Sequence, residues 1–366
     1  MNYIGSKHSL LPFLEEHILE FAGPKNAQTL FDLFAGTGIV GHHFKRLGLH
    51  IIANDIQYYS FCLNRVYVGV DREPAFVGIA DDLPRPACLL VYDSVDIVLE
   101  YLNGLEGTEG FVYRHYCPGG TSGAEFPRQY FTDENGKRCD AIRLQIEEWH
   151  KNRQISDDEY FYLLASLIEA IDRVANTASV YGAFLKHIKP SARKPLRLER
   201  LEIVPARKRQ RVYNEDGVAL VDRFPYDILY LDPPYNHRQY CTNYHVLETI
   251  ARYDNPQLYG VTGLREYSQQ KSALCNKKDA LRVLEDILQR TPARYVFLSY
   301  NNEGLMSREE ITGTMARYGR VELRKKEYSR FRADIDRENR KYRANGVMEY
   351  LFCLRKSRVE KKGTMT

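Results

Sequence analysis

Cysteine is scarce in this sequence, and its seven residues show no pairing pattern. Their number is odd and no two form a C-x-x-C motif, which argues against a disulfide framework and against a zinc ribbon. We therefore predict a protein of a reducing cytoplasm that binds no metal. The cysteines are Cys62, Cys88, Cys117, Cys139, Cys241, Cys275 and Cys353.

Long apolar runs are missing as well. No stretch approaches the roughly 20 apolar residues of a membrane-spanning helix, and the segment from Met1 to Lys7 does not resemble a signal peptide. Neither sign of charge dominates, because 52 Lys and Arg face 48 Asp and Glu, a net charge of +4. Hydrophobic residues make up 44%, with 27 Tyr and 16 Phe, so 366 residues predict a folded chain of two or three domains.

The pattern of apolar residues predicts an α/β fold with a parallel sheet. A buried strand over residues 29–34 is followed by a glycine turn, a helix over 39–47 and a second strand over 50–53. Such a β-α-β unit joins parallel strands by a right-handed crossover. Further along, the sequence predicts strands at 226–231, 294–299 and 348–354 and a helix at 280–289.

Between these two parts the alternation of strands and helices is lost. The sequence predicts helices over 140–150 and 156–176, the second opened by a capping box at Ser156, and loops with short hairpins over 107–131. We therefore predict a sheet domain in two parts, a mainly helical insert and a frayed basic tail. The boundaries are 1–70 and 206–354 for the sheet domain, 71–205 for the insert and 355–366 for the tail.

The turn after the first strand is rich in glycine. The segment from Gly36 to Gly41 follows a G-x-G-x-x-G pattern, and Asp55 comes at the end of the second strand. Glycines let a backbone approach a ligand closely, and an acid in that place can bind ribose hydroxyls. The pattern fits any enzyme with a nucleoside cofactor, and also a turn that only packs a helix on a strand.

Asp232-Pro233-Pro234-Tyr235 directly follows the predicted strand at 226–231. A motif in this place lies at the carboxyl end of a strand, where open α/β sheets bind ligands. The prolines fix the backbone and remove two N–H donors, which leaves carbonyl acceptors beside the Asp232 carboxylate. With the Tyr235 ring for stacking, the motif suits a site that presents an exocyclic amine to an electrophile. A rigid turn is the alternative.

With these motifs in this order, the chain resembles the amino-group DNA methyltransferases, in particular the Dam-like DNA adenine methylases. The resemblance implies a Rossmann-like methyltransferase sheet with an inserted, mainly helical target-recognition domain. It implies S-adenosylmethionine (SAM) as cofactor and double-stranded DNA as substrate. It also implies a cytoplasmic protein of a bacterium or phage, associated with the nucleoid through DNA, and leaves open a cognate restriction endonuclease as partner.

The same resemblance assigns roles to single residues. Asn2 to Lys7 resembles the N-terminal cofactor motif, with Lys7 near the methionine end of SAM, while Asp55 and Ile56 match the positions for the ribose hydroxyls and the adenine face. Asp216 lies about where the family has an acid near the cofactor adenine. The implied cofactor-binding residues are Tyr3, Lys7, Phe34, Ala35, Gly36, Thr37, Gly38, Asp55, Ile56 and Asp216, and the implied catalytic residues are Asp232, Pro233, Pro234 and Tyr235.

The catalytic motif suits transfer to the N6 amine of adenine, a poor nucleophile because its lone pair is conjugated with the ring. N–H donation to the Asp232 carboxylate and the Pro233 carbonyl would favour a pyramidal nitrogen aimed at the methyl group. Tyr235 would stack on the base, which must leave the duplex to reach the site. Asp at the first position favours adenine; cytosine N4 and RNA are variants of the same hypothesis.

Basic residues concentrate in two segments. Between Lys186 and Arg211 ten basic residues face two acids, a net charge of +8, and between Arg320 and Arg343 ten face five. Such segments neutralise phosphates, although a charged run can also be a solvated face. The predicted DNA contacts are Lys186, Lys189, Arg193, Lys194, Arg197, Arg207, Lys208 and Arg209 in the first segment, with Tyr181 before it and Arg238 and Asn243 after the catalytic motif.

Some of these residues have a structural alternative. Tyr181 could equally be a core tyrosine. The polar segment after Tyr235 is predicted to be a loop over the flipped base or over the gap that the base leaves, but it could be an ordinary connecting loop. For the whole chain, the leading hypothesis is a site-specific DNA methyltransferase that acts on adenine N6, in a restriction-modification or related system. A nicotinamide-dependent oxidoreductase would leave D-P-P-Y and the basic segments unexplained. A non-catalytic DNA-binding module would not need Asp232 or the glycine turn.

Overall fold

The computed structural model describes residues 5–23, 27–84, 93–206, 208–329 and 346–357, and at residues 328, 329, 346 and 347 it describes the backbone only. Two predicted site residues, Tyr3 and Arg207, lie outside the described residues, as does most of the tail. Within them, seven strands form one sheet that is flanked by helices, which confirms the predicted α/β class. None of the described helices has the length and apolarity to cross a membrane.

The first part of the sheet domain alternates helices and strands as its apolar pattern predicts. Its glycine turn, 33–38, connects the first strand to the second helix. The elements are α1 (Leu11–Ala22), β1 (Thr29–Asp32), α2 (Ile39–Arg46), β2 (His50–Asn54) and α3 (Tyr58–Asn64), followed by a π-helical turn at Arg65–Gly69.

The insert is helical where it is described. Its four helices are α4 (Ser94–Asn103), α5 (Phe111–Tyr116), α6 (Asp133–Lys151) and α7 (Asp157–Arg173). The capping box at the start of α7 is present: Ser156 Oγ accepts a hydrogen bond from the Glu159 amide, and Glu159 Oε2 accepts one from the Ser156 amide. This pair satisfies two amides that the helix itself cannot bond.

The hairpins predicted over 107–131 are wrong, because α5 lies there and the described residues of the insert contain no strand. A distant residue explains this difference. Asp140, on α6, accepts hydrogen bonds from the amides of Val112 and Tyr113 and from the hydroxyl of Tyr253. The first turn of α5 is therefore capped by a carboxylate that its own sequence does not contain.

The second part completes the sheet. Its elements are β3 (Arg211–Tyr213), α8 (Gly217–Leu220), β4 (Ile228–Leu231), α9 (Tyr240–Asn243), α10 (His245–Arg252), α11 (Lys277–Arg290), β5 (Tyr295–Asn301), α12 (Arg308–Ala316), β6 (Gly319–Ser329) and β7 (Gly346–Lys356). Short 3-10 turns occur at His8–Leu10, Val77–Ile79, Pro190–Arg193, Ser268–Gln270 and Ala273–Cys275.

The strand order is β3-β2-β1-β4-β5-β7-β6. β1 runs parallel to both β2 and β4, whereas β7 is antiparallel to β5 and β6. The order reverses at β1, so the loops after β1 and β4 leave the same edge of the sheet toward opposite sides. Open α/β sheets bind ligands at such a switch point.

Helices cover both faces of the sheet. Successive residues of a strand point to opposite faces, so a strand that is apolar throughout has to be covered on both. Ile228 and Tyr230 of β4 pack with α1 and α2, while Leu229 and Leu231 pack with α11 and α12. A third apolar cluster fills the insert. It extends beyond the predicted boundaries at 70 and 205, because residues of α3 and α10 belong to it. The insert is thus packed directly on the helices that carry the site loops.

Candidate active site at the carboxyl edge of the sheet

A cavity of about 300 Å³ opens at the carboxyl ends of β1, β2 and β4. Most of the residues predicted for the cofactor line it, together with part of the D-P-P-Y motif. The predicted residues in its wall are Lys7, Phe34, Ala35, Gly36, Thr37, Asp55, Ile56, Asp216, Asp232 and Pro234. Segments that are far apart in the chain therefore meet at one place.

The glycine turn after β1 has a left-handed backbone at Gly36 (φ +53°) and Gly38 (φ +82°). Residues with a Cβ rarely adopt this conformation. A Cβ on Gly38 would also lie 2.8 Å from Oδ1 of Asn64, whose Nδ2 donates a hydrogen bond to the Gly36 carbonyl at 2.9 Å. The turn is thus held from α3, and its second glycine is required by geometry as well as by contact.

Asp55 holds the same turn from β2. Its Oδ2 accepts a hydrogen bond from the Gly36 amide and its Oδ1 accepts one from the Gln57 amide, both at 2.8 Å. Burial raises the pKa of Asp55 to about 7, although these two amides oppose the rise. Each carboxylate oxygen still has a lone pair for a hydroxyl donor. Asp55 therefore both shapes the turn and offers acceptors to the cavity.

Two asparagines place Asp216 beside β2. The Asn54 side chain makes two hydrogen bonds to the backbone of Glu215. Its Nδ2 donates to the carbonyl and its Oδ1 accepts from the amide, each at 3.1 Å. Asn214 donates to the Asp55 carbonyl at 2.7 Å. Asp216 caps α8 by accepting from the Val218 amide at 2.9 Å. The acid of this short segment consequently lies at the rim of the cavity.

The Asp232 carboxylate pairs with a buried lysine. Lys7 Nζ lies 3.0 Å from Asp232 Oδ1 and 3.9 Å from Glu349 Oε2, and Lys7 is only 2% exposed. Burial alone would lower the pKa of Lys7, but Asp232, Tyr235 and Glu349 raise it well above its ordinary value, so the ammonium stays charged. Burial also raises the pKa of Asp232, and the Lys7 ammonium opposes that rise.

The rest of the D-P-P-Y motif is fixed by packing. Pro233 is buried, and the ring of Tyr235 meets that of Tyr300 edge-on with 5.6 Å between centroids. The Tyr235 carbonyl accepts a hydrogen bond from the Leu305 amide at 3.1 Å. Tyr235 is half-buried and is not among the residues that line the cavity, and the Lys7 ammonium lies 5.5 Å from its ring centre. The motif is therefore rigid before any substrate binds.

Sequence reasoning missed several acids and polar groups of this site. Asp32, the last residue of β1, is 1% exposed and lines the cavity. Burial, and then the charges of Asp232 and Asp55, raise its pKa well above the ordinary value. An acid at the carboxyl end of a buried strand was the available signal. Glu349 gave no such signal, since only the pairing of β7 with β5 brings it near Lys7.

A segment between α10 and α11 also borders the cavity. Gln239 holds this segment by two hydrogen bonds to the Ser272 backbone. Its Oε1 accepts from the Ser272 amide at 2.8 Å, and its Nε2 donates to the Ser272 carbonyl at 3.1 Å. Gln270 donates to Glu248 of α10 at 2.6 Å. The segment that follows Tyr235, predicted to cover the base, is thus tied to a second loop.

The structure contradicts the predicted DNA contact by Tyr181. Its side chain is fully buried, its hydroxyl donates to Asp172 Oδ1 at 3.0 Å, and its ring stacks on that of Tyr130. Tyr181 is a core tyrosine because this carboxylate satisfies its hydroxyl inside the insert. Its amide donates to the Asn243 carbonyl at 2.7 Å, which ties the insert to the segment after the D-P-P-Y motif.

The first basic segment is partly neutralised by carboxylates of helix α4 and of residues before it. Arg197 pairs with Glu100, and Arg200 lies within 3.4 Å of carboxylates of Glu73, Asp93 and Asp96. Lys189 donates to the Thr177 carbonyl. The local surplus of positive charge is therefore smaller than the sequence implies. The predicted contacts that stay exposed without a carboxylate partner among the described residues are Lys186, Arg193, Lys194, Lys208, Arg209 and Arg238.

Comparisons with known proteins agree with this geometry. Residues 3–314 match the family described as D12 class N6 adenine-specific DNA methyltransferase. The chain is 48% identical over 358 residues to the type II methyltransferase M.NlaIII of Neisseria lactamica, covering 98% of this chain and 100% of that protein. It is 34% identical over 362 residues to M.CviAII of Paramecium bursaria Chlorella virus 1, covering 96% and 97%.

A third relative is larger than this chain. The type II methyltransferase M.FokI of Planomicrobium okeanokoites is 36% identical over 360 residues, which cover 97% of this chain and 53% of that protein. The family match covers the first part of the sheet domain from residue 3, the insert, and the second part as far as residue 314, including the glycine turn and the D-P-P-Y motif. The chain therefore belongs to the D12 class of N6 adenine-specific DNA methyltransferases, and it methylates adenine at specific sites in DNA.

Proposed function

We propose that this protein transfers the methyl group of SAM to adenine N6 in duplex DNA, as the modification enzyme of a restriction-modification system. The observation that carries the proposal is the Asp232 carboxylate, paired with buried Lys7 beside the glycine turn. The names of the type II relatives support the system, and with it a cognate endonuclease that cuts the same sequence. The methyltransferase would act on DNA in the cytoplasm of a bacterial or phage-infected cell.

The cavity suits SAM in its size and in the order of its groups. Its volume of about 300 Å³ is within the range of small-ligand sites. Phe34, Ile56 and Val218 provide apolar surface for a planar adenine, and Asp55 provides acceptors for ribose hydroxyls. At the other end, the buried acid Asp32 would attract the methionine ammonium. When bound, SAM supplies an electrophilic methyl group.

In this proposal Asp232 and the Pro233 carbonyl accept the two N–H bonds of the target amine. Lys7 contacts Oδ1 of Asp232, so Oδ2 is the oxygen for the amine. The motif is fixed by Pro233 and by the hydrogen bond that the Leu305 amide donates to the Tyr235 carbonyl. It therefore loses little conformational freedom when the base enters. Acceptors held in place before reaction lower the barrier by several kcal/mol in such sites.

Tyr235 would stack on the adenine, which has to leave the duplex to reach Asp232. Lys7 favours the ionised phenol, but burial and the charge of Asp232 outweigh it and raise the pKa of Tyr235 to about 12. The ring is therefore neutral at physiological pH. A neutral ring provides the apolar face that stacking needs and does not repel nearby phosphates.

The DNA backbone would contact exposed basic residues of the first segment, Lys186, Arg193, Lys194, Lys208 and Arg209. Arg238 and Asn243 follow the catalytic motif, and there they would contact the strand from which the base is extruded. Arg197 could contribute only by exchanging Glu100 for a phosphate. Phosphate contacts of this kind set affinity and register, whereas base contacts set the sequence.

The test is methyl transfer from labelled SAM to mixed-sequence DNA, followed by nucleoside analysis. We expect label in N6-methyladenine with the wild type, and at least a hundredfold slower transfer with Asp232→Asn, because the amide cannot accept hydrogen bonds as strongly as a carboxylate. Asp222→Asn is the control, because Asp222 pairs with Arg290 on the surface. Label in another base, or equal transfer by Asp232→Asn, would refute the proposal.

A further inference from the structure

Glu349 is a buried acid that the proposed transfer does not use. It lies in β7, opposite Asn301 of β5 and Lys326 of β6, and is 7% exposed. Its Oε2 is 3.9 Å from Lys7 Nζ. Acids this buried are rare unless they are paired, because a charge loses its hydration when it is buried. Its one ion pair among the described residues is with Lys7, which is shared with Asp232.

The cluster of Lys7, Asp232 and Glu349 has one positive charge fewer than it needs to be neutral. One ammonium, Lys7, faces two carboxylates, Asp232 and Glu349, so the cluster carries a net charge of −1 when all three are ionised. An unbalanced buried charge is unfavourable. The cluster would become neutral if one carboxyl took up a proton, and Asp232 is the one that faces the cavity.

Methyl transfer delivers such a proton. A bond forms between adenine N6 and the methyl carbon, while the bond from that carbon to the donor sulfur breaks and leaves its electron pair on sulfur. The alkylated nitrogen then carries a positive charge and must release one hydrogen as a proton. The nearest acceptor in the proposed geometry is Asp232, which becomes a neutral carboxylic acid.

We propose that Glu349 is a positioning residue that keeps Lys7 charged and in place while Asp232 changes from carboxylate to neutral acid. The inference rests on the proposed role of Asp232. Before transfer, the Lys7 ammonium attracts the Glu349 carboxylate as well as that of Asp232, so Asp232 remains available to the amine. After the proton arrives, Glu349 is the counter-ion of Lys7 and the cluster is neutral.

The surrounding groups make this role specific to Glu349. Beside Lys7, the titratable groups around Asp232 are Asp32, Tyr230, Tyr235 and Tyr240. The pKa of each tyrosine is raised, so each stays neutral at physiological pH. Asp32 lies on the cavity side and is expected to bind the cofactor. Lys326 faces Glu349 from β6, with its ammonium over the ring of Phe13.

The test is the single-turnover rate of Glu349→Gln across pH, with saturating SAM and DNA. We expect a rate at least tenfold lower, with affinities for SAM and DNA within twofold of the wild type. The acidic limb of the pH profile should move to lower pH, because without Glu349 the whole attraction of Lys7 falls on Asp232 and lowers its pKa. Glu327→Gln, an exposed position on the neighbouring strand β6, is the matched control.

A double variant separates this role from a merely structural one. If Glu349 acts through Lys7, adding Glu349→Gln to Lys7→Met should slow transfer by less than twofold, because the charge that it holds is gone. Independent, multiplicative losses, or a slower rate with an unmoved acidic limb, would overturn the inference. Glu349→Asp, which keeps the charge, should recover part of the rate and the original limb.

The outcomes also distinguish this inference from the proposed function. If Asp232→Asn retains full transfer, the proposed role of Asp232 fails, whatever Glu349 does. If Asp232→Asn is inactive while Glu349→Gln matches the wild type in rate and pH profile, the role of Asp232 stands and that of Glu349 fails. Thermal melting of each variant shows that the rates belong to folded protein.

Discussion

Replacing Lys7 by methionine should destabilise the protein, and more so at higher pH. The substitution preserves most of the side-chain volume but removes the ammonium that lies 3.0 Å from Asp232 and 3.9 Å from Glu349. Two buried carboxyls then face each other without a cation. They must either remain charged without a partner or take up protons, and both alternatives cost folding free energy at neutral pH.

The distances set the scale of the loss. At an effective dielectric constant of about 20, the attraction of the Lys7 ammonium is about 5.5 kcal/mol for the Asp232 carboxylate and about 4 kcal/mol for the Glu349 carboxylate. The desolvation of the ammonium, which methionine avoids, offsets part of this attraction. Removing one member of a buried ion pair costs about 3–5 kcal/mol. We therefore expect a loss of about 3 kcal/mol at pH 8, which corresponds to a fall in Tm of roughly 3–6 °C.

The sign of the pH dependence follows from the two carboxyls. Burial already raises the pKa of Asp232 and of Glu349 in the folded protein, and loss of Lys7 raises both further. A raised folded pKa has no effect on stability below the unfolded value of about 4. Above that value the unfolded chain loses protons that the folded variant retains, so the deficit grows until the folded pKa is passed.

The assay is thermal melting of wild type and Lys7→Met at pH 5 and pH 8, in the same buffer and salt. The difference in Tm should be clearly smaller at pH 5. Lys151→Met is the control, because Lys151 is exposed and pairs with Glu147 only at the surface, where its loss should cost less than 1 kcal/mol. An equal difference at both pH values, or no difference at all, would refute the reasoning.

Two further predictions concern the glycine turn, proposed to bind the cofactor, and the basic surface proposed to bind DNA. Gly38→Ala should weaken SAM binding at least tenfold in a calorimetric titration, since its Cβ would displace Asn64; Gly48→Ala, with φ +88° and nothing within 4 Å of its Cβ, controls for backbone strain and should bind SAM normally. Lys194→Ala should reduce the slope of log affinity for DNA against log salt by about 0.9, whereas Tyr181→Phe should leave it unchanged because Tyr181 is buried. Normal SAM binding by Gly38→Ala, or a slope altered by Tyr181→Phe, would contradict these assignments.

The elements that the sequence predicts well are those whose stability is local. The helix over 39–47 and the capping box at Ser156 depend on residues within a few positions of each other, and the structure confirms both. The strands around residues 29–34, 50–53 and 294–299 are confirmed within a few residues at their ends. Buried strands of this kind are continuous apolar runs, which turns and polar segments interrupt.

Two strands were missed for different reasons. β3 has only three residues, of which the first, Arg211, ends the basic segment, and it is a strand only because it pairs with β2. β6 does alternate, with Val321 and Leu323 between charged residues, but its charges favour the prediction of a DNA-binding run. In the structure Arg320 and Arg324 pair with Glu322 on the same strand. A period of two was therefore the signal that could have identified β6.

The composition at the start, with few cysteines, no long apolar run and a net charge of +4, limited the class of protein but not its chemistry. By itself the sequence determined the order of the motifs, the α/β class and the position of Asp55 and Asp232 at the ends of strands. These features depend on residues that are close together in the chain. The tertiary structure alone decided that Lys7 and Glu349 lie beside Asp232, that Tyr181 is buried, and that helix α4 neutralises part of the basic segment. These depend on strand pairing and packing between residues up to hundreds of positions apart, for which a single sequence has no local pattern.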